Sequence, residues 1–134
     1  MNIDEIRRYL QDTGTEALAL DEGGMSFELG ASAEDGSWIS FPVGIFPLSE
    51  RLVRFMVGPL IEKPEKGWPA LYKKLANDNF DLQLVRLAVT QDNDICLVFD
   101  TWFDILNGDR LEEIFEWLVA GATGFIMEYG IDFR

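Results

Sequence analysis

The sequence predicts an α+β fold: a single domain over residues 1–134, with an antiparallel sheet of about five strands packed by helices. Three observations predict it. Residues 69–119 read as an amphipathic helix, a two-stranded hairpin with an acidic tip, and a second amphipathic helix. Residues 25–30 and 39–45 alternate apolar with small or polar side chains, with the period of a strand. Ile3, Ile6, Tyr9 and Leu10 share one helical face at the start of the chain. Two helices and a meander bury their apolar faces only against one another, and the expected order is α-β-β-β-α-β-β-α.

The first helix is expected to open at a capping box, Asn2 with Glu5 three residues on, and to run for about twelve residues to a stop at Gly14. Met25, Phe27 and Leu29 then alternate with Ser26, Glu28 and Gly30, a strand with one wet face. Ala33-Glu34-Asp35-Gly36-Ser37 carries turn chemistry. The next strand places Ile39, Phe41, Val43 and Ile45 on one face, and Pro42, which cannot donate to a ladder, marks it as an edge or a bulge. A third strand spans Arg51 to Leu60, with Gly58-Pro59 expected to end it early.

Gly67-Trp68-Pro69 opens the second helix, which runs from Pro69 to Asn79. Trp68, Leu71, Tyr72 and Leu75 form its stripe, and Lys73, Lys74 and Asp78 face water. The hairpin pairs Leu82–Thr90 with Asn93–Asp100 across a turn at Gln91-Asp92-Asn93-Asp94. Asp109, with Glu112 three residues on, is the expected N-cap of the last helix. Its stripe of Leu111, Ile114, Phe115, Leu118, Val119, Ala122, Phe125 and Ile126 lasts more than four turns.

Composition narrows the function. An apolar fraction of 48% with 13% aromatics suits one packed core in 134 residues, without disulfides or a structural metal. The net charge of −13 repels phosphates and anionic membrane surfaces, so neither nucleic acid nor membrane is an expected partner. That acidity either serves solubility or attracts basic protein segments. Lys and Arg concentrate between Arg51 and Arg86, whereas Asp92 to Glu116 is acidic apart from Arg110. The N-terminus carries no signal-peptide pattern, and no stretch approaches the roughly 18 apolar residues of a membrane span, so the expected location is the cytoplasm.

Chemistry-bearing patterns are few. The chain has no histidine, and lone Cys96 sits within the apolar run Ile95-Cys96-Leu97-Val98-Phe99, where a cysteine acts as a small hydrophobe. Asp92-Asn93-Asp94 begins like a calcium loop, but Cys96 and Leu97 break the ligand spacing. Gly121-Ala122-Thr123-Gly124 lies in a helical stripe with no lysine after it, which suits close packing rather than a phosphate cradle. Asp100 with Asp104 and Glu112 with Glu113 are ordinary surface carboxylates. No catalytic residue, metal ligand or cofactor is expected.

Aromatic placement points to protein contacts instead. Trp117 lies off the centre of the last helix's stripe, with Gly121 and Gly124 leaving a shallow groove beside it. It either docks on a partner or packs under the sheet margin or the tail Tyr129 to Phe133. Trp102 and Phe103 diverge, so at least one belongs to the core. Phe41, Val43 and Ile45, near an expected strand edge, offer a second apolar patch.

The second half of the chain carries a resemblance. Leu71, Leu75, Asn77 and Phe80 precede Leu84 and Leu87-Ala88-Val89, then Asp92-Asn93-Asp94-Ile95-Cys96-Leu97. Leu106, Asp109, Leu111-Glu112, Phe115 and Leu118 follow. This pattern resembles the type III secretion chaperone-like fold, including the bacterial YbjN family; the first half matches by element order. Ala76 between Leu75 and Asn77, and the Gly121/Gly124 pair, depart from it. The resemblance implies a small acidic homodimer that holds an extended segment of another protein, with no catalytic residue to carry over.

The expected function is therefore a non-catalytic, chaperone-like or regulatory module for a protein partner with an extended or basic segment. The alternative is a small-molecule-binding sensor or an enzyme accessory subunit with a pocket between sheet and helices. Homodimerisation is expected through Trp117, Gly121 and Gly124 or through Phe41, Val43 and Ile45.

Overall fold

The Asn2 capping box forms: the Asn2 side chain accepts from the Glu5 N–H at 2.9 Å, and the Glu5 carboxylate accepts from the Asn2 N–H at 3.2 Å. It opens α1 (Ile3–Asp12) in the computed structural model, which describes residues 1–32, 36, 38–61, 68–81 and 85–133. Ile6 and Leu10 are buried, and Gly14 ends the turn at a φ of 84°, a conformation that favours glycine. Four strands follow: β1 (Leu18–Ala19), β2 (Met25–Ser32), β3 (Trp38–Pro47) and β4 (Leu52–Ile61). Then come α2 (Trp68–Asp81), β5 (Arg86–Val89), β6 (Ile95–Trp102), a 3-10 turn (Phe103–Ile105) and α3 (Gly108–Phe133).

The six strands form one antiparallel sheet in the order β1-β2-β3-β4-β6-β5. The expected element order holds, with the two-residue β1 added; two residues carry no period from which to predict a strand. Register puts Phe27 opposite Val43, Val43 opposite Val57, Val57 opposite Leu97 and Leu97 opposite Leu87, so one face is continuously apolar. α3 covers that face. Phe115 meets Phe27 at 5.4 Å and Phe55 at 6.4 Å between ring centres, both edge-on, the favoured geometry for aromatic pairs. Ile6, Leu10, Leu71, Leu75, Leu111, Ile114 and Leu118 join the same core.

Some boundaries differ from expectation, and the edge expected at Pro42 holds only for the N-terminal half of β3. β3 is flanked by β2 throughout and by β4 from Val43 to Pro47, so its C-terminal half is interior. Pro42 sits one residue before the β4 ladder begins, where a missing donor costs nothing on that side. β4 runs on through a cis Gly58-Pro59 bond, resuming pairing at Ile61 with a register shift that absorbs the irregularity. α3 is capped by Asn107, not Asp109: the Asn107 side chain accepts from the Arg110 N–H at 2.8 Å, and Asp109 falls within the first turn. α2 extends to Asp81.

The β5–β6 turn is tight as expected, with Asn93 at φ 66° and the Thr90 N–H donating to the Asp94 carbonyl at 2.8 Å. Most of the turn expected at Ala33–Ser37, together with Gly67 and the strand start at Leu82–Leu84, lies outside the described residues, as do the side chains of Trp68, Phe80 and Tyr129–Phe133. α1 and α3 are tied directly. The Tyr9 hydroxyl donates to Glu112 at 2.6 Å, and that bond to a carboxylate pushes the phenol pKa up to about 12.

Candidate protein-binding surfaces

Of the two patches expected from the sequence, the one on β3 faces the core and the one on α3 is partly covered. Phe41, Val43 and Ile45 are all buried, because their side of β3 is the one α3 covers. Trp117 is half-buried, packed edge-on against Phe99 at 5.7 Å. Gly121 faces the same strand: a Cβ there would stand 2.7 Å from Leu97 Cδ2 and 3.4 Å from Val85 Cγ2. The sheet thus fills the groove expected beside the indole. Gly124 opens onto free space. Phe103 is buried and Trp102 exposed, the divergence anticipated for this pair.

Among the described residues, the exposed tryptophans lie on the outer face of the sheet, turned away from α3. Trp38 is 69% and Trp102 52% exposed, and Phe46, Leu52 and Met56 are half-buried on the same face. The Trp38 indole lies across Gly30, and the Phe46 ring lies across Gly44, positions where any side chain would collide with the ring. Trp38 escaped prediction because attention to strand periodicity selects Ile39, Phe41, Val43 and Ile45. The available signal was a glycine-bearing strand, Gly30, preceding an opposite-parity tryptophan.

A charged network sits amid these apolar groups. Arg54 donates twice to Asp100, Nε at 2.8 Å and Nη2 at 2.9 Å, while Arg86 Nη2 donates to the same carboxylate at 2.7 Å. Side-chain exposure is 36% for Arg54, 48% for Arg86 and 23% for Asp100. The Arg54 hydrogen bonds, reinforced by Arg86, hold the Asp100 carboxyl at about 2, below its ordinary 3.8. A carboxylate with a depressed folded-state pKa contributes stability above its unfolded pKa and loses it as pH falls through the folded value. Asp100→Asn is therefore expected to cost about 1–2 kcal/mol at pH 7, the partial exposure of both guanidiniums limiting the effect. It should also flatten the stability profile between about pH 4 and pH 2, read by urea unfolding across that range.

The sheet edge at β2 is open. β1 pairs only with Met25 and Ser26, so among the described residues Phe27–Ser32 has β3 on one side and no strand on the other. Beside it lies a cleft of about 540 Å³, lined by Gly14, Glu16, exposed Leu18, Glu28 and Pro42 among others. Glu28 accepts from the Ser40 hydroxyl of β3 at 2.8 Å.

Reactive chemistry is muted. Cys96 is buried, and burial with the charge of Asp94 raises its thiol pKa, keeping it protonated. Among the described residues, no group of three or more His, Cys, Asp or Glu is placed to hold a metal ion. No described helix is long and apolar enough to cross a membrane.

No protein-family model matches the chain, and no curated protein matches it. Among solved structures it is similar to the Yersinia pestis type III secretion chaperone SycH, solved in complex with a stable fragment of YscM2. That match has a TM-score of 0.57 at 16% identity and covers 91% of this chain and 97% of that one. It names the secretion chaperone and does not extend to the YbjN family. With its single antiparallel sheet and packed helices, the chain has a type III secretion chaperone-like α+β fold.

Proposed function

We propose that the protein is a non-catalytic, chaperone-like module that binds an extended segment of another protein. The open β2 edge beside the acidic cleft carries this reading. An extended segment laid along Phe27–Ser32 gains main-chain hydrogen bonds that β1 is too short to supply. Leu18 and Pro42 offer apolar contact for its side chains, and Glu16 and Glu28 favour lysine or arginine at the flanking positions. The net charge of −13 steers such a basic segment towards the surface. The likeness to a chaperone solved with a protein fragment supports the same reading.

Fluorescence anisotropy with labelled peptides of about ten residues, alternating leucine with lysine, tests it. Binding is expected to weaken about tenfold, or about 1.4 kcal/mol, when Glu16 and Glu28 are both changed to lysine. N-methylation of alternate peptide amides should weaken it comparably, since those amides supply the strand pairing. Binding indifferent to both changes would defeat the proposal.

A further inference from the structure

We propose that the outer face of the sheet, centred on Arg54, Asp100 and Arg86, is a second docking surface, specific for a protein partner that presents a carboxylate among apolar side chains. The strand register builds this centre. Arg54 on β4 lies opposite Asp100 on β6, and Arg86 on β5 lies opposite Val98, one step along the same face. Two guanidiniums against one carboxylate leave a net positive centre in a chain of net charge −13.

Asp100 is the carboxylate that Arg54 and Arg86 bond, and Asp94, at the β5–β6 turn, stands three steps along the same face from it. Glu28, the acidic group of β2 on the outer face, lies two strands away and is engaged by Ser40. Around the centre are half-buried Met56 and Leu52 and exposed Trp102, with Val98 buried beneath, an apolar setting in which water is readily displaced.

Charge decides the occupant. A wholly apolar partner would strip water from two guanidiniums that share a single carboxylate, which is unfavourable. A partner carboxylate instead completes the pairing, with Arg86 presenting its exposed N–H groups in the planar fork that matches a carboxylate. A second copy docked about a two-fold axis through the network would set two net positive centres face to face, which disfavours a symmetric dimer on this face. Trp102, exposed beside the centre, supplies the large apolar contact that carries most of the binding energy in such interfaces. The preference is opposite to that of the acidic cleft at the β2 edge, so the two surfaces select different segments.

The test uses the full chain and two fluorescent peptides of alternating leucine and serine that differ only in one central residue, glutamate or glutamine. The glutamate peptide is expected to bind about tenfold more tightly, a difference of about 1.4 kcal/mol. Arg86→Gln should abolish that difference while leaving far-ultraviolet circular dichroism unchanged, as Arg86 is half-exposed. Trp102→Ser should weaken both peptides alike and leave their ratio intact. The leucine–lysine peptide should not compete with either.

Equal binding of the two peptides by the unaltered protein would overturn the proposal. So would a retained difference in Arg86→Gln. A dimer by light scattering that dissociates in Arg86→Glu would also overturn it, assigning the face to a second copy.

Discussion

Phe55→Ala is expected to remove about 3–5 kcal/mol of folding stability, a large share of the roughly 5–15 kcal/mol typical of a domain this size. Phe55 is fully buried and stands at the meeting point of the sheet and α3. Its ring lies 6.4 Å from both Phe99 and Phe115, and its register neighbours are Ile45 and Phe99. Truncation loses the transfer free energy of the ring and leaves a cavity. That cavity is walled by a paired strand on each side and a helix above, which cannot close on it. Urea unfolding at pH 7 reads the loss as a lower midpoint with an unchanged slope. A loss below about 1 kcal/mol would contradict the central placement of this ring.

Two glycines of α3 should respond in opposite directions. A side chain at Gly121 is driven against Leu97 and Val85 on the sheet, and the helix backbone must lift to accommodate it. Gly121→Leu is expected to cost about 3 kcal/mol, the upper range for overpacking, because several side chains must shift together. Gly124 meets nothing, so Gly124→Ala should add about 0.5–1 kcal/mol by restricting the unfolded chain and improving helix propensity. Thermal unfolding of both variants measures the pair. Stabilisation by Gly121→Leu would show that α3 does not approach β6 as closely as described.

The helices were the most legible elements, because a 3.6-residue stripe repeats often enough to be read against noise. The Asn2–Glu5 capping box and the buried Leu111, Ile114, Phe115 and Leu118 were visible for that reason. The α3 cap was misassigned because Asn107 and Asp109 are both good caps, and only backbone geometry chooses between them. Strand faces were harder. In β3 both parities carry apolar residues, Trp38, Pro42 and Phe46 on one and Phe41, Val43 and Ile45 on the other, so alternation alone does not say which faces α3.

The partner surfaces were poorly legible for the same reason. The clue that was present lay in the charges set inside apolar runs: Arg54 between Val53 and Phe55, and Arg86 between Val85 and Leu87. Such residues mark the strand side that the core does not use, and their convergence on Asp100 required the pairing of β4 with β6. That pairing joins strands far apart in sequence, and no local pattern announces it.

The same pairing has a consequence for the chain as it leaves the ribosome. β1 to β4 are sequential neighbours and can pair as they emerge, but β6 arrives only after about forty further residues, roughly 2–8 s at ordinary elongation rates. During that interval the far edge of β4 is unpaired, with Val53, Phe55 and Val57 exposed alongside a free row of backbone donors and acceptors. Arg54 is then a lone charge at the middle of a sticky strand, the placement that discourages pairing with a neighbouring nascent chain. When Asp100 arrives, that guardian charge becomes the clasp that closes the sheet.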